Sequence, residues 1–374
     1  MKNPVVLHFI LDGYCPTNKD NFFNNFEDII PEGYNVGIFH SVATEEDKLR
    51  SPDMWSRAYS KTTFAEIKQP GDSARLGTST KIKRIPAERF LWNKLASKGV
   101  KSWLYPFGQY YYTVGSNFLT GSPQDENVSG FLKMYGTKLG YQVDYGVPLY
   151  AKSPLSVYYG LHEASWGREL KGDFVDTFKD YRTLWKNPTP EFLEKVPQDI
   201  YDYYSDRFSG YLDANRKLFE EEIFPHLRAH LHDFYDGGYI HIGLVEPDTP
   251  YHFVPVYPDL VGWIRDYCFE IISKVVDMVN PDILIITGDH GMENVDETWK
   301  TARPITVNGQ TRLCAVSDWG VAPIYNEHSH EIGGVIAAKD IKHIQDFTDH
   351  YHKPEDVFMY NIYDFVEGRF KQDE

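Results

Sequence analysis

The segment ILIITGDHGM, residues 283–292, decides the fold. It opens as a short apolar run, which is typical of a strand buried on both faces, and it stops at a glycine followed by polar groups. Val5 to Leu11 is a similar run that ends at Asp12, and Tyr239 to Val245 is another that is soon followed by Asp248. We therefore predict three parallel strands of one sheet.

Helical patterns lie between these strands, at Phe90 to Ser97, Arg216 to Phe234 and Leu260 to Val279, with apolar residues at three- and four-residue spacing. Val100 to Tyr105 and Gly334 to Ala338 are weaker strand candidates for the same sheet. Alternating strands and helices predict an α/β fold with a doubly wound, mostly parallel sheet flanked by helices.

The stretch from Gly108 to Asp236 breaks this alternation and is rich in aromatic residues, in a chain that has 27 tyrosines. We predict an inserted cap or substrate-specificity region at 108–236, with the core formed by 1–107 and 237–374. The insertion is either ordinary packing or a set of stacking platforms for a sugar or base. A hairpin is expected around Asn308-Gly309.

The composition excludes several classes of protein. Hydrophobic residues make up 42% and charged residues 25% of 374 residues, as in folded globular chains. The net charge of -16 argues against a broad basic face for duplex nucleic acid. The first apolar run is too short to span a membrane, so we expect no membrane partner and an intracellular location. The three cysteines have no paired metal-ligand spacing and are interpreted as reduced thiols.

The chemistry is expected where the strands end. In an open α/β sheet, ligands bind at the carboxyl ends of the strands, so Asp12, Asp248 and Asp289 should converge there. Packed carboxylates repel one another unless cations compensate them. His252 and His290 lie close in sequence to two of these aspartates. Each aspartate alone is commonly only a turn or cap residue, but the combination predicts a site for divalent ions, with zinc first and manganese second.

These motifs resemble those of the alkaline phosphatase superfamily, and most of all its nucleotide pyrophosphatase/phosphodiesterase branch. The similarity rests on Asp12-Gly13, on Glu246-Pro247-Asp248-x-x-x-His252 and on the segment at 287–292, in that order along the chain. Residues 91–102 are also similar to the helix and strand that follow the nucleophile in that branch. The resemblance covers most of the predicted core and leaves out 108–236.

The resemblance implies two metal ions. Asp248 and His252, with a late histidine, would hold one ion, and Asp12, Asp289 and His290 would hold the other. The late histidine should come from residues 327–335, where His330 is placed ahead of His328 because it lies closer to the glycine turn.

The resemblance also implies a hydroxyl nucleophile between Asp12 and residue 91. The spacing of Thr63 and Glu66 predicts a capping box, which would place Thr63 at a helix N-terminus suited to phosphate. A Thr-Phe step similar to the phosphodiesterase branch favours Thr63, whereas a Lys-Thr-x-x-Ala-Glu pattern similar to lipoteichoic acid synthases favours Thr62. Thr80 is a third candidate, in a sequence that resembles phosphoethanolamine transferases.

The implied activity is hydrolysis of a small phosphate ester through a covalent phosphothreonine, by a phosphodiesterase or nucleotide pyrophosphatase. The aromatic content favours a nucleotide or sugar diester. A sulfatase is not indicated, since the Cys-x-Pro-x-Arg motif is missing from the sequence. Two alternatives stay open, namely a cytosolic phosphomutase of the same superfamily and a non-enzymatic glycan- or protein-binding relative. The sequence does not determine the oligomeric state.

Overall fold

The computed structural model describes residues 2–15, 29–42, 51–63, 66, 87–105, 205, 209, 212–213, 216–217, 219–244, 258–294, 303–307, 310–316, 323–324, 326–328, 331–352 and 358–370. The strands in these ranges are β1 (Val5–Leu11), β2 (Asn35–Val42), β3 (Ser102–Tyr105), β4 (Gly238–Leu244), β5 (Ile283–Gly288), β6 (Met292–Asn294), β7 (Arg303–Val307), β8 (Gln310–Val316), β9 (Pro323–Ile324), β10 (Asn326–His328) and β11 (Glu331–Ala338).

The α-helices in these ranges are α1 (Ser51–Ser60), α2 (Leu91–Ser97), α3 (Phe224–His230), α4 (Pro258–Val279), α5 (Ile341–Asp346) and α6 (Phe358–Arg369). Short 3-10 or π-helical turns cover Ala87–Arg89, Phe219–Ile223, Leu231–Phe234 and Phe347–Tyr351. Among the described residues, no helix combines the length and the apolar character needed to cross a bilayer.

The central sheet has six strands in the order β2-β11-β5-β1-β4-β3. β1 pairs in parallel with both β4 and β5, and β3 pairs in parallel with β4. β11 is antiparallel to both of its neighbours, β5 and β2. The predicted mostly parallel sheet is therefore confirmed, with β11 as its one reversed strand.

The core lies on both faces of the sheet. Every residue of β4 and β5 is buried, and β1 is buried after its first residue. Because side chains alternate between the two faces of a strand, this pattern requires cover on each side. The helices supply core residues such as Met54 from α1, Leu95 from α2, Ile272 from α4 and Phe365 from α6. The sheet is thus flanked by helices, as predicted.

One predicted helix is broken. The pattern from 216 to 234 becomes a π-helical turn, then α3, then a 3-10 turn. α3 begins with a proline in its first turn, at Pro225. A proline has no N–H to donate, so the hydrogen-bond ladder of the preceding turn cannot continue through it. The hairpin prediction is confirmed, because β7 and β8 pair up to Val307 and Gln310, on either side of Asn308-Gly309.

Most of the proposed insertion at 108–236 lies outside the described residues, and its boundaries stay a prediction. Its final part is described. Phe224 and Leu227 of α3 pack in the same hydrophobic cluster as the sheet.

Candidate metal centre

Two of the predicted acidic residues leave the sheet side by side. In the register of the central strands, Leu11 pairs with Gly288 on one side and with Leu244 on the other. Asp12 and Asp289 are the next residues of their strands, and the Asp12 amide donates to the Leu244 carbonyl at 2.9 Å. The carboxyl ends of β1, β4 and β5 therefore lie at one edge of the sheet.

A buried cluster forms at this edge from Asp12, Asp289 and His290. One ligand atom from each lies within 4.8 Å of the others. Asp12 is 4% exposed, and Asp289 and His290 are fully buried. The structure thus brings together three of the six residues predicted to bind metal.

The chain after β1 crosses tightly over the end of β5. A Cβ atom added at Gly288 would lie 1.7 Å from the Tyr14 carbonyl oxygen, so no larger residue fits there. Gly13 has a φ of 80°, a left-handed conformation that glycine adopts without strain. The two glycines of the sequence motifs therefore allow the two aspartate-bearing turns to touch.

Asp289 is held by the backbone. Its Oδ1 accepts from the Gly13 amide and from the His290 amide, each at 3.0 Å. Its Oδ2 lies 3.4 Å from Nε2 of His290. One carboxylate oxygen is thus fixed, and the other faces the centre of the cluster.

The orientation of His290 favours a cation. Its Nδ1 lies 3.0 Å from the Gly291 carbonyl oxygen, and a carbonyl oxygen only accepts, so Nδ1 carries the proton. In the neutral ring Nε2 is then a lone pair, 3.5 Å from Asp12 Oδ1 and 3.4 Å from Asp289 Oδ2. A metal ion or a second ring proton between these three electron-pair donors would compensate the repulsion among them. Their chemistry fits a divalent metal, with the Gly291 carbonyl fixing the imidazole as an outer partner.

The other predicted ligands, Asp248, His252 and His330, lie outside the described residues. β4 ends four residues before Asp248 at the same edge of the sheet. Backbone pairing brings both flanks of His330 to the loop after His290. His328 pairs with Met292, and the Glu331 carbonyl accepts from the Gly291 amide at 2.8 Å.

The predicted nucleophiles, Thr62 and Thr63, follow the last turn of α1. The Thr62 hydroxyl is buried and donates to the Ser60 carbonyl at 3.3 Å. Thr63 forms the predicted capping box: its amide donates to Glu66 Oε2 at 2.6 Å, and its hydroxyl accepts from the Glu66 amide at 3.2 Å. Both hydroxyls are therefore engaged in local hydrogen bonds.

The turn that carries the threonines is anchored to neighbouring helices. The Lys61 ammonium donates to both oxygens of Asp364 in α6, at 2.8 and 2.9 Å. The Lys61 carbonyl accepts from Arg89, just before α2, at 3.0 Å. Thr80 lies outside the described residues.

A buried histidine network beneath the acidic cluster was missed by the sequence reasoning. His8 Nε2 and Nδ1 lie 3.0 Å from the hydroxyls of Thr287 and Tyr239. Nδ1 of His241 donates to the His8 carbonyl at 3.0 Å, so its Nε2 accepts from the Tyr59 hydroxyl at 2.7 Å. The only signal was a histidine inside each of two otherwise apolar strands.

Burial keeps both histidines neutral. Desolvation lowers the pKa of His8 well below its ordinary value, and the nearby His241 lowers it further. Desolvation likewise lowers the pKa of His241 to about 3, although the bond to the His8 carbonyl acts in the opposite direction. The network therefore ties α1 to the sheet through neutral hydrogen bonds.

Comparison with known proteins finds matches only among solved structures. The chain matches no protein-family model. It also matches no curated protein. Solved structures do match, including the alkaline phosphatase of the Antarctic bacterium TAB5, which has 12% sequence identity and a TM-score of 0.43, with 100% of both chains covered.

Two further structures are similar to this chain. The phosphonoacetate hydrolase of Sinorhizobium meliloti 1021, in complex with phosphonoacetate, has 11% identity and a TM-score of 0.39, over 79% of this chain and 58% of that one. The murine ectonucleotide pyrophosphatase/phosphodiesterase 5, in complex with AMP, has 10% identity and a TM-score of 0.38, over 97% of this chain and 100% of that one.

Proposed function

We propose that the protein is a two-metal phosphoric-ester hydrolase of the phosphodiesterase or nucleotide pyrophosphatase type. The observation that carries this proposal is that His290 Nε2 lies 3.5 Å from Asp12 Oδ1 and 3.4 Å from Asp289 Oδ2 in a buried space at the carboxyl edge of the sheet. These three residues would hold one ion. Asp248, His252 and His330 would hold the second, and the mixed imidazole and carboxylate ligands favour zinc over manganese.

Divalent ions bound at this edge would supply Lewis-acid stabilisation of the charge on the phosphoryl oxygens. The protein contributes a preorganised cluster, because Asp289 and His290 are each fixed by backbone groups before any ligand arrives. Full burial of both side chains lowers the local dielectric, which strengthens their interaction with a cation.

Threonine is proposed as the nucleophile, with Thr63 ahead of Thr62. Its hydroxyl oxygen would form a bond to phosphorus while the ester oxygen leaves, and water would then hydrolyse the phosphothreonine. The Thr63 hydroxyl oxygen has two lone pairs, so it can attack phosphorus while it still accepts from the Glu66 amide. Glu66→Ala removes the carboxylate that accepts from the Thr63 amide, so it should change turnover if Thr63 is the nucleophile, while its effect through Thr62 would be small.

The activity is tested with bis-p-nitrophenyl phosphate and p-nitrophenyl phosphate, in the presence of zinc or manganese. We expect release of p-nitrophenol that chelation abolishes and zinc restores. Faster cleavage of the diester supports the phosphodiesterase type. Absence of turnover on both esters with metal bound would contradict the proposal and favour a binding protein.

The covalent step is tested with Thr63→Ala, Thr62→Ala and acid quenching of the reaction. We expect phosphothreonine in a peptide containing 62–63 and its loss in one variant. Full turnover in both variants would place the nucleophile elsewhere in the chain. A sugar phosphate serves as a third substrate, because a mutase yields an isomer where a hydrolase yields free phosphate. The expected substrate is a nucleotide or sugar diester, and the intracellular location stays a prediction.

A further inference from the structure

We propose that Cys15, His40 and Glu331 form a separate zinc site next to the acidic cluster. One ligand atom from each of the three lies within 4.8 Å of the other two. They come from the loop after β1, from β2 and from the first residue of β11. None of them belongs to the six predicted ligands, so this site does not depend on the proposed function.

The register of β2 and β11 places His40 and Glu331 on one face of the sheet. His40 is opposite Gly333, and Glu331 precedes Gly333 by two residues. Opposite residues of an antiparallel pair, and residues two apart on a strand, point to the same side. Gly333 has no side chain to fill the space across from His40, so the imidazole can lean toward Glu331.

The loop after β1 places the Cys15 thiol near β11. Tyr14 lies directly over Gly288 at the end of β5, and β11 is the next strand in the sheet. Cys15, one residue beyond Tyr14, is therefore carried from β1 across β5 toward β11. Its side chain is fully buried.

The polar contacts within this trio leave room for an ion. His40 Nε2 is 3.9 Å from Glu331 Oε1, which is too long for a hydrogen bond. This nitrogen is buried, and within the described part of the chain it has no hydrogen-bond partner. A cation between the imidazole, the carboxylate and the thiol would satisfy it.

The ligand types select zinc. A thiolate is a soft ligand that Mg²⁺ and Ca²⁺ avoid, whereas one Cys, one His and one carboxylate suit tetrahedral Zn²⁺. The thiol would lose its proton to solvent when the ion binds. The His40 and Glu331 side chains are 34% and 38% exposed, so water can occupy the fourth position.

Zinc at this site would link three segments near the carboxyl edge of the central sheet. Cys15 follows Asp12 by three residues, and Glu331 directly follows the predicted ligand His330. The zinc ion would hold both segments to β2, which lies at one edge of the sheet. Its role is structural, because it positions the segments that carry other ligands.

X-ray absorption at the zinc edge tests the site on the full chain. A sulfur ligand gives a scattering distance of about 2.3 Å, distinct from the nitrogen and oxygen distances of about 2.0–2.2 Å expected from an Asp/His centre. We expect the sulfur signal in the wild-type protein, and its loss together with about one zinc equivalent in Cys15→Ser. The matched control is Cys268→Ser, which changes a buried cysteine of α4 and should keep the signal.

Two further variants distinguish loss of zinc from unfolding, and this proposal from the hydrolase proposal. His40→Gln should also lose about one zinc equivalent, and its circular dichroism spectrum verifies that it is folded. Asp289→Asn should keep the sulfur signal while it loses turnover, so failure of the hydrolase proposal is distinguishable from failure of this one. A folded, zinc-loaded wild-type protein without sulfur scattering would overturn the site, as would a sulfur signal that survives Cys15→Ser.

Discussion

Asp289 has two oxygen atoms with different tasks. Oδ1 accepts from two backbone amides, and Oδ2 faces the lone pair of His290. An asparagine can keep the amide bonds through its single carbonyl oxygen and turn its NH₂ group toward His290 Nε2. The substitution would then place a hydrogen-bond donor, in place of a carboxylate oxygen, next to the imidazole.

We therefore expect Asp289→Asn to separate stability from metal binding. The metal-free variant should unfold at the same or a higher temperature than the metal-free wild type, while zinc affinity and kcat/KM should fall at least about 100-fold. Calorimetry and zinc titration measure the two effects. Asp277→Asn, at an exposed position of α4, is the matched control and should change neither. Wild-type zinc affinity in Asp289→Asn would refute the ligand assignment.

Tyr59 is the link between α1 and the sheet. Its hydroxyl is the donor for His241 Nε2 in a fully buried network. Tyr59→Phe leaves that nitrogen without a donor, so we expect a loss of about 1–3 kcal/mol in the free energy of unfolding, measured by urea denaturation. Tyr235→Phe, at a residue that is 72% exposed, should leave the midpoint unchanged. Equal midpoints for the two variants would show that the hydrogen bond from Tyr59 to His241 does not stabilise the protein.

At this scale the sequence reveals only part of the site. Asp12, Asp289 and His290 are visible because they lie within two residues of the end of an apolar strand, and the parallel arrangement then places them together. The partners of His8 and His241 are hidden, because Tyr59 lies 182 positions from His241 and no local spacing connects them. Residues far apart in sequence meet only through the register of the sheet.

At the junction of β5 with the loop after β1, an added Cβ at Gly288 would have a shorter contact than at the other described glycines. Gly288→Ala would place a methyl group on the Tyr14 carbonyl, so either the loop or β5 must move. We expect a loss of more than about 3 kcal/mol in stability, or insoluble protein, together with reduced zinc binding. Thermal unfolding and zinc stoichiometry measure both.

The control for this substitution is Gly262→Ala in α4. There the nearest atom to an added methyl is 3.9 Å away, so alanine should stabilise the protein by up to about 1 kcal/mol through its higher helix propensity. If Gly288→Ala were as stable as Gly262→Ala, the close approach of the two turns would be wrong.

The strands differ in how well the sequence predicts them. β1 and β5 are continuous apolar runs, and their bounds were predicted to within a residue. β2 is not predicted, because among the described strands it pairs with β11 alone and has a mixed burial pattern with Val36, Ile38 and Val42 exposed. Such a strand is stabilised by a partner that is distant in sequence, so its own residues do not predict it.

The two buried, neutral histidines predict that the free energy of unfolding of the whole molecule decreases in acid. Above pH 6.5 both are neutral in the folded and the unfolded chain. Below pH 6.5 both histidines become protonated in the unfolded chain but stay neutral in the folded chain. Burial lowers the pKa of His241 to about 3 and that of His8 well below its ordinary value. His241 should therefore lower the free energy of unfolding by about 1.4 kcal/mol per pH unit as the pH falls from 6.5 toward 3, and His8 should act in the same direction.

Carboxylates also lose stabilising contacts in acid, so the histidine contribution is read as a difference between variants. His241→Gln removes one titrating group, and its slope of stability against pH between 6.5 and 4.5 should be shallower than that of the wild type by about 1.4 kcal/mol per pH unit. His350→Gln, in an exposed position, is the control. Identical slopes in all three proteins would show that His241 is protonated in the folded state.

The position of β11 between β5 and β2 has a consequence for biosynthesis. β2 emerges from the ribosome well before its partner in the sheet, which spans residues 331–338. Asn35–Val42 therefore cannot pair with β11 until residues 331–338 have been translated. Closure of this edge is a late event in folding, and chaperones have a long interval in which to engage β2.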